Sequence, residues 1–182
     1  VGSLAFVSNQ SWQGVVARLA PTRPSTLAWL ALVVATLAIW AWRCRAAAAA
    51  RDEATGLALT GVVQCLVSPV TWVHHLVWLL PALVLLVDNA MAAPAGSPRR
   101  RWLLGFAIFA YGLLISRLVW VWELDFTGVA GFLGSNAYVW VSVALLLLLP
   151  VRDPSRVELP RVPHLGKLHR WLVRRPAQRV DR

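Results

Sequence analysis

The sequence predicts an all-α fold, a polytopic membrane bundle of about five transmembrane helices, on three observations. Hydrophobic residues make up 58% of the 182 residues and charged residues only 14%, against about 45–50% and about 25% in ordinary soluble domains. Long apolar runs recur along the chain, and roughly 20 helical residues rising about 1.5 Å each cross a hydrocarbon core about 30 Å thick. The arginines and lysines gather in alternate connections between those runs, as cytoplasmic loops do. The net charge of +10 therefore reads as topology, and no nucleic-acid partner is expected.

Residues 1–24 are expected to form an extracytoplasmic polar loop, residues 25–150 a transmembrane bundle, and residues 151–182 a basic cytoplasmic tail. The first apolar segment is Leu27–Trp42, which Thr26 and its neighbours can extend. The second, Thr55–Val67, is short, and the helix-forming "AAAAARDEA" before it can lengthen it. The third, Trp72–Val87, opens after "SP", because Pro69 has no N–H to give and biases Ser68 away from helix. The fourth, Trp102–Trp122, and the fifth, Phe132–Pro150, are long enough to span. In the tail, Leu165, Leu168, Trp171 and Leu172 alternate with basic residues, which fits either an amphipathic helix on an anionic leaflet or a basic tail without structure.

Charge sets the expected orientation. Arg43, Arg45 and Arg51 lie between the first two segments, and Arg99, Arg100 and Arg101 between the third and fourth. Nine more basic residues follow the fifth. Only Arg18 and Arg23 precede the first segment, and Glu123 and Asp125 follow the fourth. Fifteen basic residues thus fall on one side and two on the other, with Arg117 inside a span. A multi-pass plasma-membrane protein follows, with its N-terminal segment outside and its C-terminal tail in the cytoplasm. Trp40, Trp42, Trp72, Trp102, Trp120 and Trp122 at segment ends suit the headgroup level. Cys44 and Cys65 lack metal-ligand or CxxC spacing, so no disulfide, redox or metal site is expected. The chain begins at Val1 rather than Met and shows no signal-peptide pattern. It is expected to be the C-terminal part of a longer protein.

With this topology, three polar stretches share the outer side: residues 8–25, 68–75 and 123–131. In the first, Asn9, Gln10, Ser11 and Gln13 both donate and accept hydrogen bonds, as sugar hydroxyls require. Trp12 offers a flat apolar face, and Arg18 and Arg23 are permanent cations able to hold a phosphate. In the second, Trp72 stands at the segment end. His74 and His75 then occupy the first turn of span three, just below the outer surface, where ionisable groups are costly and usually functional. Arg117 either snorkels outward or points into the bundle toward a lipid phosphate.

"SNQSWQGVVARL" and "SPVTWVHHLVWLLPAL" together resemble two motifs of glycosyltransferase family 87, the actinobacterial polyprenyl-phosphate-mannose-dependent alpha-(1→2)-mannosyltransferases. The resemblance covers residues 8–90 by motif and the rest by hydropathy. It implies the C-terminal half of a GT-C membrane fold and a chain about twice this length. It also implies an essential acidic residue in an outer loop upstream of Val1. Asn9, Gln10 and Trp12 become expected walls of the substrate cavity, and the His74–His75 pair expected active-site residues.

The implied chemistry moves mannose from a polyprenyl-phosphate donor to a hydroxyl of a lipid-anchored glycan acceptor, with inversion at the anomeric carbon. Imidazole, with an unperturbed pKa of about 6.5, can take the hydroxyl proton near neutral pH. Arg18, Arg23 or Arg117 could stabilise the departing phosphate. No cofactor is implied, because the lipid-linked sugar is a substrate, and a divalent-metal requirement stays open. Two other functions stay open as well: an arabinofuranosyltransferase of the same fold, and a non-catalytic transport or lipid-flipping subunit. The second would need ionisable residues near the bilayer midplane and paired helix interruptions, whereas Pro81 is the one interruption the sequence suggests.

Overall fold

The structure, a computed structural model, describes residues 3–152, so most of the expected basic tail lies outside the described residues. Its helices begin and end on residues chosen for the purpose. Helix α1 (Trp12–Leu19) starts where the Ser11 hydroxyl accepts the Gly14 N–H, and α2 (Thr26–Ala49) where the Ser25 hydroxyl accepts the Ala28 N–H. Each serine oxygen satisfies a donor that the first helical turn leaves unpaired. α2 closes with Arg51 in the left-handed region at φ 54°. The Arg51 N–H donates to the Ala48 carbonyl and the Asp52 N–H to the Ala47 carbonyl, the two bonds of a Schellman stop. Asp52 then accepts the Thr55 N–H and opens α3 (Glu53–Val67). One short corner serves both helices.

Ser68 and Pro69 end α3 as expected. A 3-10 turn over Val73–Leu79 runs on into α4 (Leu80–Met91), with Pro81 in the first α turn, where its missing N–H costs nothing. α5 (Pro98–Ile115) is capped by Ser97. A second 3-10 segment, Leu118–Trp122, precedes α6 (Gly128–Ser135) and α7 (Ala137–Leu148).

Among the described residues, Thr26–Ala49 and Val73–Met91 are long and apolar enough to cross a membrane. The pair α6–α7, bent by 62°, makes a third if it is counted as one span. α3 is apolar, but its 15 residues extend about 22 Å at 1.5 Å per residue, short of a core about 30 Å thick. α5 spends its first turn on Arg99, Arg100 and Arg101.

Two expected segments are corrected. Trp102–Trp122 is not one helix, because α5 stops at Ile115 and Arg117 takes a left-handed conformation at φ 58°. Ser116 explains the break: its hydroxyl donates to the Leu113 carbonyl at 2.7 Å and accepts the Leu118 N–H at 3.2 Å, competing with the helical ladder. Arg117, expected inside a span, therefore stands exposed at a break between helices. Phe132–Pro150 is likewise divided at Asn136. Its side-chain amide donates to the Phe132 carbonyl at 2.7 Å, a bond to the fourth residue back of the kind the backbone would otherwise make. Pro81 is thus not the principal interruption in the chain.

The core of the bundle is hydrophobic, but one helix inverts the usual pattern. On α2 the buried residues are Thr36, Arg43 and Ala47, while Leu27, Leu30, Val34 and Leu37 are exposed. That inversion suits a helix whose outer face meets lipid. Two ends of the bundle are separately locked. At one, Arg43 donates to the Leu147 and Leu149 carbonyls at the end of α7, and Arg152 pairs with Asp88 while its N–H donates to Asp52 at 2.8 Å. The other end holds the leader, residues 3–11. Arg100 reaches Met91 Sδ at 3.4 Å, which puts the Arg99–Arg101 cluster at the arginine end.

Candidate active site at the leader end

The leader folds back on itself before α1. The Phe6 N–H donates to the Ser3 carbonyl and the Asn9 N–H to the Phe6 carbonyl. Asn9 then reaches across to the turn that follows α3. Its Oδ1 accepts the Thr71 N–H at 3.0 Å and the Ser11 hydroxyl at 2.9 Å, and its Nδ2 donates to the Leu4 carbonyl at 3.1 Å and the Pro69 carbonyl at 3.4 Å. The Gln10 N–H donates to the Thr71 carbonyl at 2.7 Å, and Asn9 and Trp72 form an antiparallel bridge. The Ser11 hydroxyl also donates to Pro69 at 3.2 Å. Two stretches sixty residues apart in sequence are stitched into one surface, as their shared side required.

The stitching fixes the histidines. The His75 N–H donates to the Trp72 carbonyl at 2.8 Å, and His75 Nδ1 accepts the Trp72 N–H at 3.3 Å. A neutral imidazole that accepts at Nδ1 carries its proton on Nε2, so His75 presents a donor outward. His74 has no hydrogen-bond partner among the described residues. Its ring sits edge-on to His75 with centroids 4.3 Å apart, and both rings are exposed. On a 3-10 turn of three residues, neighbours diverge by about 120°, which lets the two rings serve different ligands.

The other expected site residues fall in three kinds of place. Asn9 and Gln10 are wholly buried. Gln10 Nε2 donates to the Val7 and Ser135 carbonyls, the latter at 2.8 Å, and its Oε1 has no partner among the described residues. Trp12 lies in the core rather than at a cavity wall: its indole N–H donates to Thr36 on α2 at 2.8 Å, and its ring meets Trp140 edge-on at 6.3 Å. Trp72 is half-buried, with Phe6 edge-on to it at 6.4 Å and to Trp120 at 5.7 Å. Arg117 opens the turn that carries Trp120.

Arg18 is buried rather than offered as a free cation. Its Nε and Nη2 donate to Asn136 Oδ1 at 3.0 and 2.5 Å, its other Nη2 bond goes to the Asn9 carbonyl at 2.9 Å, and Nη1 donates to the Phe6 and Ala5 carbonyls at 3.0 and 3.4 Å. All five of its N–H groups are taken by the protein itself. Burial pushes its pKa from the usual arginine range down to about 10, so it remains charged at neutral pH. The third polar stretch joins the same end. Glu123 and Phe126 line a cavity of about 440 Å³ together with Ser3, Ala5, Phe6 and Pro21. Hydrogen bonds from the Thr127 hydroxyl and N–H hold the exposed Asp125 carboxyl below the usual range. The described residues contain no cluster of metal-ligating side chains.

Asn136 is the participant that sequence reasoning missed. The available signal was the pair Ser135–Asn136 between "GFLG" and "AYVWV", two polar residues in an otherwise apolar run.

Comparison with known proteins shows what the chain is similar to. Residues 1–69 match the family profile of glycosyltransferase family 87. A polyprenol-phosphate-mannose-dependent alpha-(1-2)-phosphatidylinositol pentamannoside mannosyltransferase of Mycobacterium tuberculosis (strain CDC 1551 / Oshkosh) is 37% identical over 132 residues, 69% of this chain and 27% of the relative. A polyprenol-phosphate-mannose-dependent alpha-(1-2)-phosphatidylinositol mannoside mannosyltransferase of Mycolicibacterium smegmatis (strain ATCC 700084 / mc(2)155) is 30% identical over 184 residues, 93% of this chain and 38% of the relative. The chain thus spans well under half the length of these relatives. No solved structure matches it.

Proposed function

We propose, from the premise that the chain belongs to glycosyltransferase family 87, that it forms part of a membrane enzyme transferring mannose from polyprenyl-phosphate-mannose to a lipid-anchored mannoside. The observation that carries this reading is the Asn9–Trp72 bridge, which presents the exposed His74–His75 pair beside the amide-rich leader. The mycobacterial relatives, named for a polyprenol-phosphate-mannose donor and phosphatidylinositol mannoside acceptors, favour mannose over arabinofuranose.

The proposed enzyme crosses the membrane five times, through α2, α3, the run Val73–Met91, α5 and the bent pair α6–α7. The leader end faces outward and the arginine end lies in the cytoplasm, as the distribution of basic residues supports. α3 crosses where flanking polar groups and local thinning make up its length.

The reaction is an inverting displacement at the anomeric carbon. The acceptor oxygen forms the new C–O bond and gives its proton to a base, while the bond to the donor phosphate breaks and the polyprenyl phosphate departs. His74, whose imidazole has no hydrogen-bond partner among the described residues, takes the role of base. His75 donates from Nε2 to a phosphate oxygen or to an acidic group from elsewhere in the enzyme. Trp72 flanks the sugar, Arg117 supplies positive charge toward the phosphate, and Asn9, Gln10 and Arg18 act by holding the leader against the histidine turn, while Trp12 ties α1 to α2.

The test is transfer by membranes containing full-length enzyme. His74→Ala and His75→Ala are each expected to lower the turnover about 10²–10⁴-fold, the usual scale for a positioned proton-transfer group, at unchanged expression. A double variant that transfers mannose at the normal rate ends the proposal.

A further inference from the structure

Near the end of the described residues, two side chains of the leader and α1 meet the corner between α6 and α7. Gln10 reaches the Ser135 carbonyl and Arg18 reaches Asn136 Oδ1 with two N–H groups. Arg18 also holds the Ala5, Phe6 and Asn9 carbonyls, so a single guanidinium ties the corner to the leader. Asn136 is wholly buried, and its own amide is anchored by the Phe132 carbonyl at 2.7 Å and Ser135 Oγ at 3.3 Å. Gly14 makes room for this crossing, because a Cβ there would lie 2.2 Å from the Asn9 carbonyl oxygen and 3.1 Å from Arg18 Nη2. No carboxylate pairs with Arg18 among the described residues, so a neutral amide oxygen is the side-chain acceptor of a buried cation. Its place in the fold, rather than its charge, is what that oxygen contributes.

We infer that Asn136 is a positioning residue for the transfer reaction, acting through Arg18 to hold the leader, and through Asn9 the Thr71–His75 turn, in register with the substrates. The inference rests on the proposed function. The route is short: Asn136 Oδ1 to Arg18, Arg18 to the Asn9 carbonyl, Asn9 Oδ1 to the Thr71 N–H, and from that turn to His74 and His75. The first three links are hydrogen bonds between buried groups, where an unpaired donor is costly. Losing the first link leaves two guanidinium N–H groups without partners, and the leader moves to find others. Because reacting groups must be held to within about an ångström, such a shift costs rate on the order of 10²-fold without removing any group that touches substrate.

The experiment compares Asn136→Ala with Asn136→Asp in full-length enzyme, as kcat and KM for a polyprenyl-phosphate-mannose donor. Thermal unfolding and the fraction of monodisperse protein are measured in parallel. Asn136→Ala is expected to lower kcat at least about tenfold with donor KM within about threefold of normal. Asn136→Asp, which keeps an oxygen for both Arg18 bonds but gives up the amide's bond to the Phe132 carbonyl, is expected to recover part of that loss. Equal kcat in Asn136→Ala and the unaltered enzyme, with only the melting temperature lowered, overturns the inference. If Asn136→Ala does not fold, Arg18→Lys carries the same test: three ammonium donors replace five, and kcat falls while the donor KM holds. His75→Ala in the same assay separates the two ideas. If it retains full activity, the site assignment fails. If it is inactive while the Asn136 variants are normal, only the positioning role fails.

Discussion

Gly14 shows how tightly the residues of the leader end are set. It lies in the first turn of α1, and the Asn9 carbonyl and the Arg18 guanidinium occupy the space its side chain would need. Gly14→Ala cannot be absorbed by a flexible neighbour, because the 2.2 Å contact is with backbone oxygen. We expect it to destabilise the protein by about 1–3 kcal/mol, the usual cost of overpacking, and to slow transfer by displacing Asn9, as thermal unfolding and turnover of the variant would show. A variant with normal melting and normal turnover would mean that the leader sits elsewhere. The residue types of this region were legible in the sequence: "SNQS", "SPVT" and the histidine pair stood out as polar matter against an apolar background. Their orientation was not. Amides that can bind sugar hydroxyls can equally bind the carbonyls of a turn, and Asn9 and Gln10 do so. Arg18 was legible as a cation, but nothing local to α1 announces a partner 118 positions away.

At the scale of elements, the apolar runs marked where helices lie and the serine and aspartate caps marked where several of them start. The breaks were harder to see. Periodicity passes unbroken through Leu113–Trp122, and the Ser116 side chain that diverts the ladder there is common inside helices. Arg117 holds φ 58°, a conformation that costs a residue with a side chain roughly 1–2 kcal/mol and glycine nothing. This separates its backbone from its charge. Arg117→Gly is expected to melt at or slightly above the normal temperature, while Arg117→Ala keeps the strain. Both should weaken the donor interaction alike, seen as a raised donor KM. Opposite effects of the two variants on KM would show that the turn, and not the guanidinium, matters to the donor.

For the molecule as a whole, charge patterning and span length bear on different features. The sequence places its basic residues in alternate connections, and the structure gathers Arg43, the Arg99–Arg101 cluster and Arg152 at the end opposite the leader. Length misled where a broken helix reads as a continuous run, as at Asn136. The proposed orientation makes a direct prediction. With Cys44 and Cys65 replaced by alanine, Leu124→Cys, at a position 98% exposed, should react with an impermeant thiol reagent added to intact cells. Gly96→Cys, in the loop before the arginines, should react only after the membrane is opened. The reverse pattern would turn the enzyme over.

The central claim is that the leader and the histidine turn form one substrate surface at the outer end of the bundle. A cryo-electron microscopy map of the full-length enzyme with polyprenyl-phosphate-mannose bound tests it most directly. The claim predicts phosphate and sugar density within hydrogen-bonding reach of the two imidazoles, against the wall that Asn9 and Trp72 build. Donor density at the arginine end, or imidazoles turned toward acyl chains with the sugar elsewhere, would contradict it.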